Sequence, residues 1–348
     1  VTLCPVRAGS DISFCKKELH VLKADRKNLK FGTKLILFNE IMLLLVLVVI
    51  AVLFSVGSPK FFSSTNILNI LRDSSMAIIA GIGMTMLLIT GEVDLSIGSL
   101  VAFVGVVTMD ITNKTGNFFL GFIAGVALGA VVGIINGLVR TKLGVNSLIG
   151  TIAMMMILRG GVYMYSMAAV QNYHQLNSFY MFGNGYVGFL PIPILVMAGL
   201  YIVFYFVINR SIAGRKLYAT GGNPVAAQIS GIKVDRLKVV TFMVSSMLAA
   251  IAGIILVSRM NSGQPNSGTG FELTVVAGVI LGGTSLAGGE GTLIGTLIGV
   301  LILRVINNGI IILQWNQDLQ IVIAGIVIIL AVFIDNKRKD ARAKIITT

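Results

Sequence analysis

The feature that most constrains this chain is a run of ten apolar segments. They lie near 37–56, 75–90, 97–112, 118–138, 147–167, 191–208, 239–259, 273–287, 293–313 and 319–335. A helix needs about 20 mainly apolar residues to cross a bilayer, fewer where a neighbour shields it. In lipid its backbone groups must also be bonded within the segment. The predicted fold is therefore all-α: a polytopic bundle of about ten transmembrane helices, with broken or short helices near 91–96 and 288–292. Charged residues are 12% of the 348 and the mean hydropathy is +0.91, against about 25% charged in soluble domains. The 40 glycines suit membrane helices that pack closely through small residues.

The division expected is a basic tail at 1–35, a transmembrane unit at 36–335 containing a polar loop at 209–238, and a second basic tail at 336–348. Residues 1–34 do not read as a signal peptide, whose apolar core begins much nearer the N-terminus. Net charge is +13, but the basic residues lie in tails and loops beside apolar segments. That is how a membrane protein orients itself, not a nucleic-acid footprint. With the N-terminus inside, the segments 1–36, 139–146, 209–238 and 336–348 hold 21 of the 27 Lys and Arg. The outside loops then hold only Lys60, Arg72 and Lys114, so both termini are expected to be cytoplasmic. Cys4 and Cys15 read as reduced, unpaired thiols. His20 and His174 are too far apart to suggest a metal site, and no metal or cofactor is expected in this chain.

A faint repeat at an offset of 197 residues matches Ile79–Ile82 to Val276–Val279 and Ile97–Leu100 to Ile294–Leu297. Duplicated architecture is common in transporters. Three polar segments interrupt the apolar pattern. In Gly91–Ser99, Glu92 and Asp94 stand at membrane depth, where carboxylates are costly. They either bind water and backbone N–H groups freed by a helix break, or they meet a solute or a gate. Ser96 is expected to cap the next helix through its hydroxyl. In Leu281–Thr292 the glycines permit a tight turn, and Gly291, Gly295 and Gly299 fall on one helix face. This stretch lacks the Gly-Lys-Ser/Thr ending of a phosphate-binding loop, and no such pattern occurs elsewhere in the chain.

The third segment, Gly221–Gly231, carries its own start and stop signals: Asn223 for an N-cap, Pro224 for the first helical position and Gly231 for the C′ position. Two turns are not stable alone in water, so this helix must dock, either on its own bundle or on a cytoplasmic partner. Ala226 and Ala227 are expected to let a partner groove approach closely, with Ser230 at the end of the helix. Arg159 and Arg304 lie well inside their spans. They snorkel or pair with carbonyls, or else line a pathway or subunit interface. The candidates for a translocation pathway or its gate are Glu92, Asp94, Ser96, Thr284, Ser285 and Asn307.

Together these segments resemble the ribose-type permease subunits of bacterial ABC sugar importers. The family's Gly-Ile-Asp-Leu-Ser-Val-Gly-Ser is similar to Glu92–Ser99. Its Gly-Gly-Asn-Pro-x-Ala-Ala…Ser-Gly-Ile is similar to Gly221–Ile232, and its Gly-x-Glu-Leu…Leu-Gly-Gly-Thr-Ser-Leu-x-Gly-Gly-x-Gly to Gly270–Gly291. The resemblance runs from about Pro59 to Lys337. It departs at Glu92, where Gly or Ser is commonest, and at Asn146-Ser147, where many members carry Pro-Phe.

The resemblance implies a dimer with a second permease copy or a homologous permease, in the bacterial inner membrane. It also implies two cytoplasmic ATP-binding subunits and an extracytoplasmic solute-binding protein that delivers a monosaccharide. ATP and magnesium then belong to the partner, and 224–231 is the coupling helix received in a groove of the ATPase. This chain is not expected to be an enzyme; it moves solute by alternating access. The rivals are a branched-chain amino-acid ABC permease and an ion-coupled secondary transporter using Glu92 and Asp94, with a passive channel further off.

Overall fold

A computed structural model of the chain describes residues 39–333, apart from 168–170, 173–177, 317, 324, 328 and 331. The helices are α1 (Asn39–Gly57), α2 (Ser64–Ile89), α3 (Ile97–Thr115), α4 (Phe118–Thr141) and α5 (Ser147–Ser166). After these come α6 (Ser178–Asn184), α7 (Ile192–Arg210), α8 (Ile212–Gly222), α9 (Pro224–Ile229), α10 (Val234–Met260), α11 (Phe271–Leu281) and α12 (Leu293–Ile312). Two-residue strands pair antiparallel at Gln171–Asn172 with Ser262–Gly263 and at Tyr186–Val187 with Leu190–Pro191.

Eight described helices are long and apolar enough to cross a membrane: α1 to α5, α7, α10 and α12. The segment expected at 273–287 is instead the short α11, which stops at Leu281. The chain turns there through Gly282 and Gly283, the latter at a φ of 89°. A Cβ on Gly282 would lie 2.4 Å from the Gly295 carbonyl, so this turn is pressed onto α12. For the tenth expected span, every described position of 319–333 is helical. The tails at 1–35 and 336–348, with Cys4, Cys15 and His20, lie outside the described residues, as does His174.

Helix α2 begins eleven residues before the expected 75. Ser63 caps it, accepting the Asn66 amide N–H at 3.3 Å. Its early turns are polar, which hid them from a hydropathy reading, yet the polar groups are consumed inside the bundle. Asn66 and Asn308 exchange side-chain hydrogen bonds at 2.9 Å, and Asp73 pairs with Arg259. Arg72 therefore belongs to a helix and not to a loop; its guanidinium stands 4.9 Å over the Tyr186 ring.

The centre of the bundle is α2, α3 and α10, with α4 against α10. Glycines at four-residue spacing make the α4 seam. Cβ atoms would come within 2.8 Å of Ser246 O at Gly129, 2.5 Å of Phe242 O at Gly133 and 2.7 Å of Val239 Cα at Gly137. Small residues let the backbones meet, the usual device where water does not drive helices together. Adding a methyl to such a contact costs about 1–3 kcal/mol. Helix α1 stays peripheral: it runs beside α12 and exposes Leu45, Val49, Leu53 and Val56.

The first matched pair of the repeat lies on neighbouring helices, α2 and α11. Helices α3 and α12 begin within one residue of corresponding positions, at Ile97 and Leu293, and α2 packs on both α11 and α12. The hydroxyls of Thr85 and Thr296 lie 2.6 Å apart between them.

Candidate functional site

One end of the bundle gathers the three interrupting segments. The break between α2 and α3 leaves several N–H groups without helical partners, and each finds one nearby. Val93 N–H donates to Ser147 Oγ at 3.4 Å and Leu95 N–H to Thr151 Oγ1 at 3.1 Å. Ser96 N–H donates to Asp94 Oδ1 at 2.8 Å. Ser147 also heads α5, just after Asn146, which caps that helix by accepting the Leu148 N–H at 2.9 Å.

The capping differs from the expectation at Ser96. Its hydroxyl makes no cap bond; it donates at 2.6 Å to Asp94 Oδ1, the oxygen that also accepts the Ser96 N–H. Asn136 Nδ2 adds bonds at 3.4 Å to both Asp94 oxygens and at 2.9 Å to Ser96 Oγ, and Ser246 Oγ donates to Asp94 Oδ2 at 3.4 Å. Asp94 is fully buried. A carboxylate at the N-terminus of α3 also meets the positive end of the helix dipole. Its ring of N–H, hydroxyl and carboxamide donors therefore knots α2, α3, α4 and α10 at one point.

Glu92 is buried as well, at 1% exposure. Arg140 Nε, from the end of α4, donates to its two oxygens at 2.9 and 2.8 Å, and Lys238, from the start of α10, pairs with Oε1. Arg140, Lys238, Asn136 and Ser246 did not enter the sequence-based set. A lone Asn in the glycine-rich apolar α4 was the available signal. In the sequence Arg140 and Lys238 stand among the basic residues of 139–146 and 209–238, with nothing to pair them with Glu92.

The turn 282–292 meets the same break. Gly289 N–H donates to the Ile89 carbonyl at 2.8 Å, closing the end of α2. Ser285 is 1% exposed, its N–H bonded to Glu290 O and its Oγ accepting the Ala287 N–H. Thr284 is fully buried and packs under Gly291. Gly291, expected on a helix face with Gly295 and Gly299, precedes α12 and stands in the turn at a φ of 155°. Gly295 and Gly299 do face α11 and its turn, close to the Gly282 and Gly278 carbonyls.

The polar loop locks onto both breaks. It holds two helices, α8 and α9, where only the second was expected. A Cβ on Gly221, at the end of α8, would lie 1.7 Å from Ile89 O and 2.5 Å from Gly289 N. Tyr218 Oη donates to the Gly291 carbonyl at 2.7 Å. Burial pushes its phenol above the ordinary tyrosine value, so that bond persists across physiological pH.

Helix α9 then projects. Asn223 accepts the Ala226 N–H at 3.0 Å, Pro224 opens the helix, Ser230 Oγ donates back to the Ala226 carbonyl at 2.9 Å, and Gly231 ends it at a φ of 84°. Its outer face is not the one expected. Ala226 is exposed, but Ala227 is 3% exposed and turned into the bundle, where α9 rests on α8 and α10. The projecting apolar side chains are Val225 and Ile229, at 67% and 83% exposure and one turn apart. Beside α9 a cavity of about 930 Å³ is lined by Arg140, Lys142, Lys233, Arg236 and Lys238 with Asp235.

Asn307 lies elsewhere, half-buried in a second cavity near the middle of the bundle together with Arg304. Arg159 Nη1 donates to the carbonyls of Pro265 and Ser267 at 2.7 and 3.0 Å, pairing with carbonyls as one reading of it expected. Among the described residues there is no group of three or more His, Cys, Asp or Glu suited to a metal ion.

Fold and site together define a multi-pass helical membrane protein with broken helices and a projecting amphipathic loop, the build of a transport permease. The chain belongs to the family described as "Branched-chain amino acid transport system / permease component", whose profile matches residues 66–332. It is 39% identical over 313 residues to the ribose import permease protein RbsC of Escherichia coli K12, covering 89% of this chain and 97% of that protein. To the ribose import permease protein RbsC of Bacillus subtilis it is 38% identical over 318 residues, covering 91% and 98%. To the L-arabinose transport system permease protein AraH of Escherichia coli K12 it is 36% identical over 299 residues, covering 85% and 91%. No solved structure matches the chain.

Proposed function

We propose that this chain is the membrane-spanning subunit of an ATP-binding-cassette importer in a bacterial inner membrane, carrying a monosaccharide inward by alternating access. One observation carries the mechanism. Helix α9 presents Val225 and Ile229 outward, while Gly221, three residues before it, is wedged against Ile89 and Gly289 at both helix breaks. Force applied to α9 by a partner reaches the ends of α2 and α11 within a few residues. Such an element suits a coupling helix that transmits closure of a cytoplasmic ATPase to the gate. Hydrolysis, with its ATP and magnesium, is assigned to that separate subunit. A solute-binding protein serves the opposite face, and a second permease copy or a homologous permease completes the pore.

The relatives whose names specify ribose and L-arabinose support a sugar over an amino acid. The bonds around Glu92 and Asp94 argue against a proton carrier. Glu92 is held by two cations and Asp94 by donors from three helices, so neither is free to trade protons with a passing solute.

The test is reconstitution of the chain with a cognate ATPase and binding protein in liposomes, with uptake of labelled ribose, arabinose, xylose, galactose and leucine. Uptake of a sugar that requires ATP inside and binding protein outside is expected. Uptake without the ATPase, or of leucine alone, refutes the reading.

A further inference from the structure

A cavity of about 560 Å³ opens near the middle of the bundle between α2, α3, α10, α11, α12 and the residues Gln320, Ile321, Ile323 and Gly325. Two helices each send an i, i+3 pair into it: Phe271 and Thr274 from α11, and Arg304 and Asn307 from α12. Gln320 adds a second carboxamide.

Residues beside these polar groups hold the bundle together. Asn308, next to Asn307, is engaged with Asn66, and Arg259 is engaged with Asp73. Arg304 lies within electrostatic reach of that Asp73–Arg259 pair but has no carboxylate within ion-pair distance among the described residues, and its buried Nε has no hydrogen-bond partner. Asn307 likewise makes no hydrogen bond within the described chain. Arg304 lies twelve residues past the Thr292 cap, which at 1.5 Å per residue is about 18 Å along α12, near mid-membrane. A cation at that depth with an unbonded Nε marks a functional place, and transporters place substrate sites at the midplane beside discontinuous helices such as α11.

We propose that this cavity is a monosaccharide subsite within the permease itself. The Arg304 guanidinium and the Asn307 and Gln320 carboxamides meet the hydroxyl edge of the sugar, and the Phe271 ring meets its C–H face. The chemistry fits a neutral polyol. Planar donors and acceptors match vicinal hydroxyls, and an aromatic face covers the apolar side of the ring. Pockets that bind small ligands are likewise mostly apolar with a few convergent polar groups. Nothing covalent happens here; the subsite holds the sugar for one step of its passage. This inference rests on the sugar-permease reading above.

The test uses the assembled transporter with Cys4→Ser, Cys15→Ser and Thr274→Cys, labelled by a small thiol reagent in the resting and ATP-bound states. The probes are ribose, arabinose, xylose and galactose, with uptake of each measured in parallel. A sugar at ten times its dissociation constant leaves about a tenth of the sites open, so labelling is expected to slow about tenfold. Adding Asn307→Ala, which removes no bond of the described fold, is expected to abolish that protection. A thiol that never reacts in either state rules out an open cavity and overturns the proposal. So does an unchanged labelling rate with a sugar that the same preparation transports. If the preparation transports none of the sugars, the functional reading itself fails, and the subsite with it.

Discussion

Replacing Glu92 by Gln removes the charge on which two helices converge, and the structure sets the size of the effect. The Glu92 side chain is 2% exposed, Lys238 11% and Arg140 33%. Taking one partner from a buried pair costs about 3–5 kcal/mol, because the remaining charge stays behind without compensation. Lys238 falls under that rule. Arg140 keeps contact with solvent and adds at most about 1 kcal/mol. Gln still accepts a hydrogen bond, so the low end of the range applies: about 3 kcal/mol, or a fall in Tm on the order of 5 °C for a chain of this size. The assay is thermal or SDS unfolding of the solubilised protein, carried through a double-mutant cycle of Glu92→Gln, Lys238→Gln and the pair. Residues in direct contact couple by about 0.5–3 kcal/mol, and a value near 2 is expected here because removing both groups leaves no stranded buried charge. Single effects that add to within about 0.5 kcal/mol would show that the pair does not tie α10 to the break.

Val225→Arg and Ile229→Arg are expected to leave the solubilised chain as stable as before and to remove the ATPase on co-purification, whereas Ala227→Arg, forced into the bundle, should lower the melting temperature; retained ATPase in both surface variants overturns α9 as the docking helix. Asp94→Asn keeps an acceptor for the Ser96 N–H and is expected to hold most of the transport activity, while Asp94→Leu strands the donors of Ser96, Asn136 and Ser246 and should lose it; an inactive but folded Asn variant refutes a purely structural Asp94. Gly221→Ala puts a methyl carbon 1.7 Å from Ile89 O, an overlap costing about 1–3 kcal/mol as the loop shifts, and is expected to cut the transport obtained per ATP; unaltered coupling dissolves the link between loop and gate. For orientation, single cysteines at Lys114 and Leu143, both largely exposed, should differ in intact cells, with an impermeant thiol reagent reaching only position 114.

Apolar length alone determined that this chain crosses a membrane as helices, because lipid leaves the backbone no other way to bond itself. The caps of α9 were equally legible. Asn223, Pro224 and Gly231 act through bonds and dihedral angles within one turn, and the structure puts each where the sequence did. The repeat was legible as a weak match, and its first pair lies where α2 packs against α11. What the sequence did not contain in readable form were facts about distance. The polar first half of α2 looked like loop because its partners, Asn308 and Arg259, lie about 200 residues away. Glu92 and Asp94 were visible as costly, yet whether a carboxylate meets a cation, a hydroxyl or a solute depends on which helices converge on it. Only the approach of α4 and α10 brought up Arg140, Lys238, Asn136 and Ser246. Ala227 shows the same limit at short range. On a helix of six residues the choice of buried face is made by the neighbours α8 and α10, since no periodicity that short can declare it.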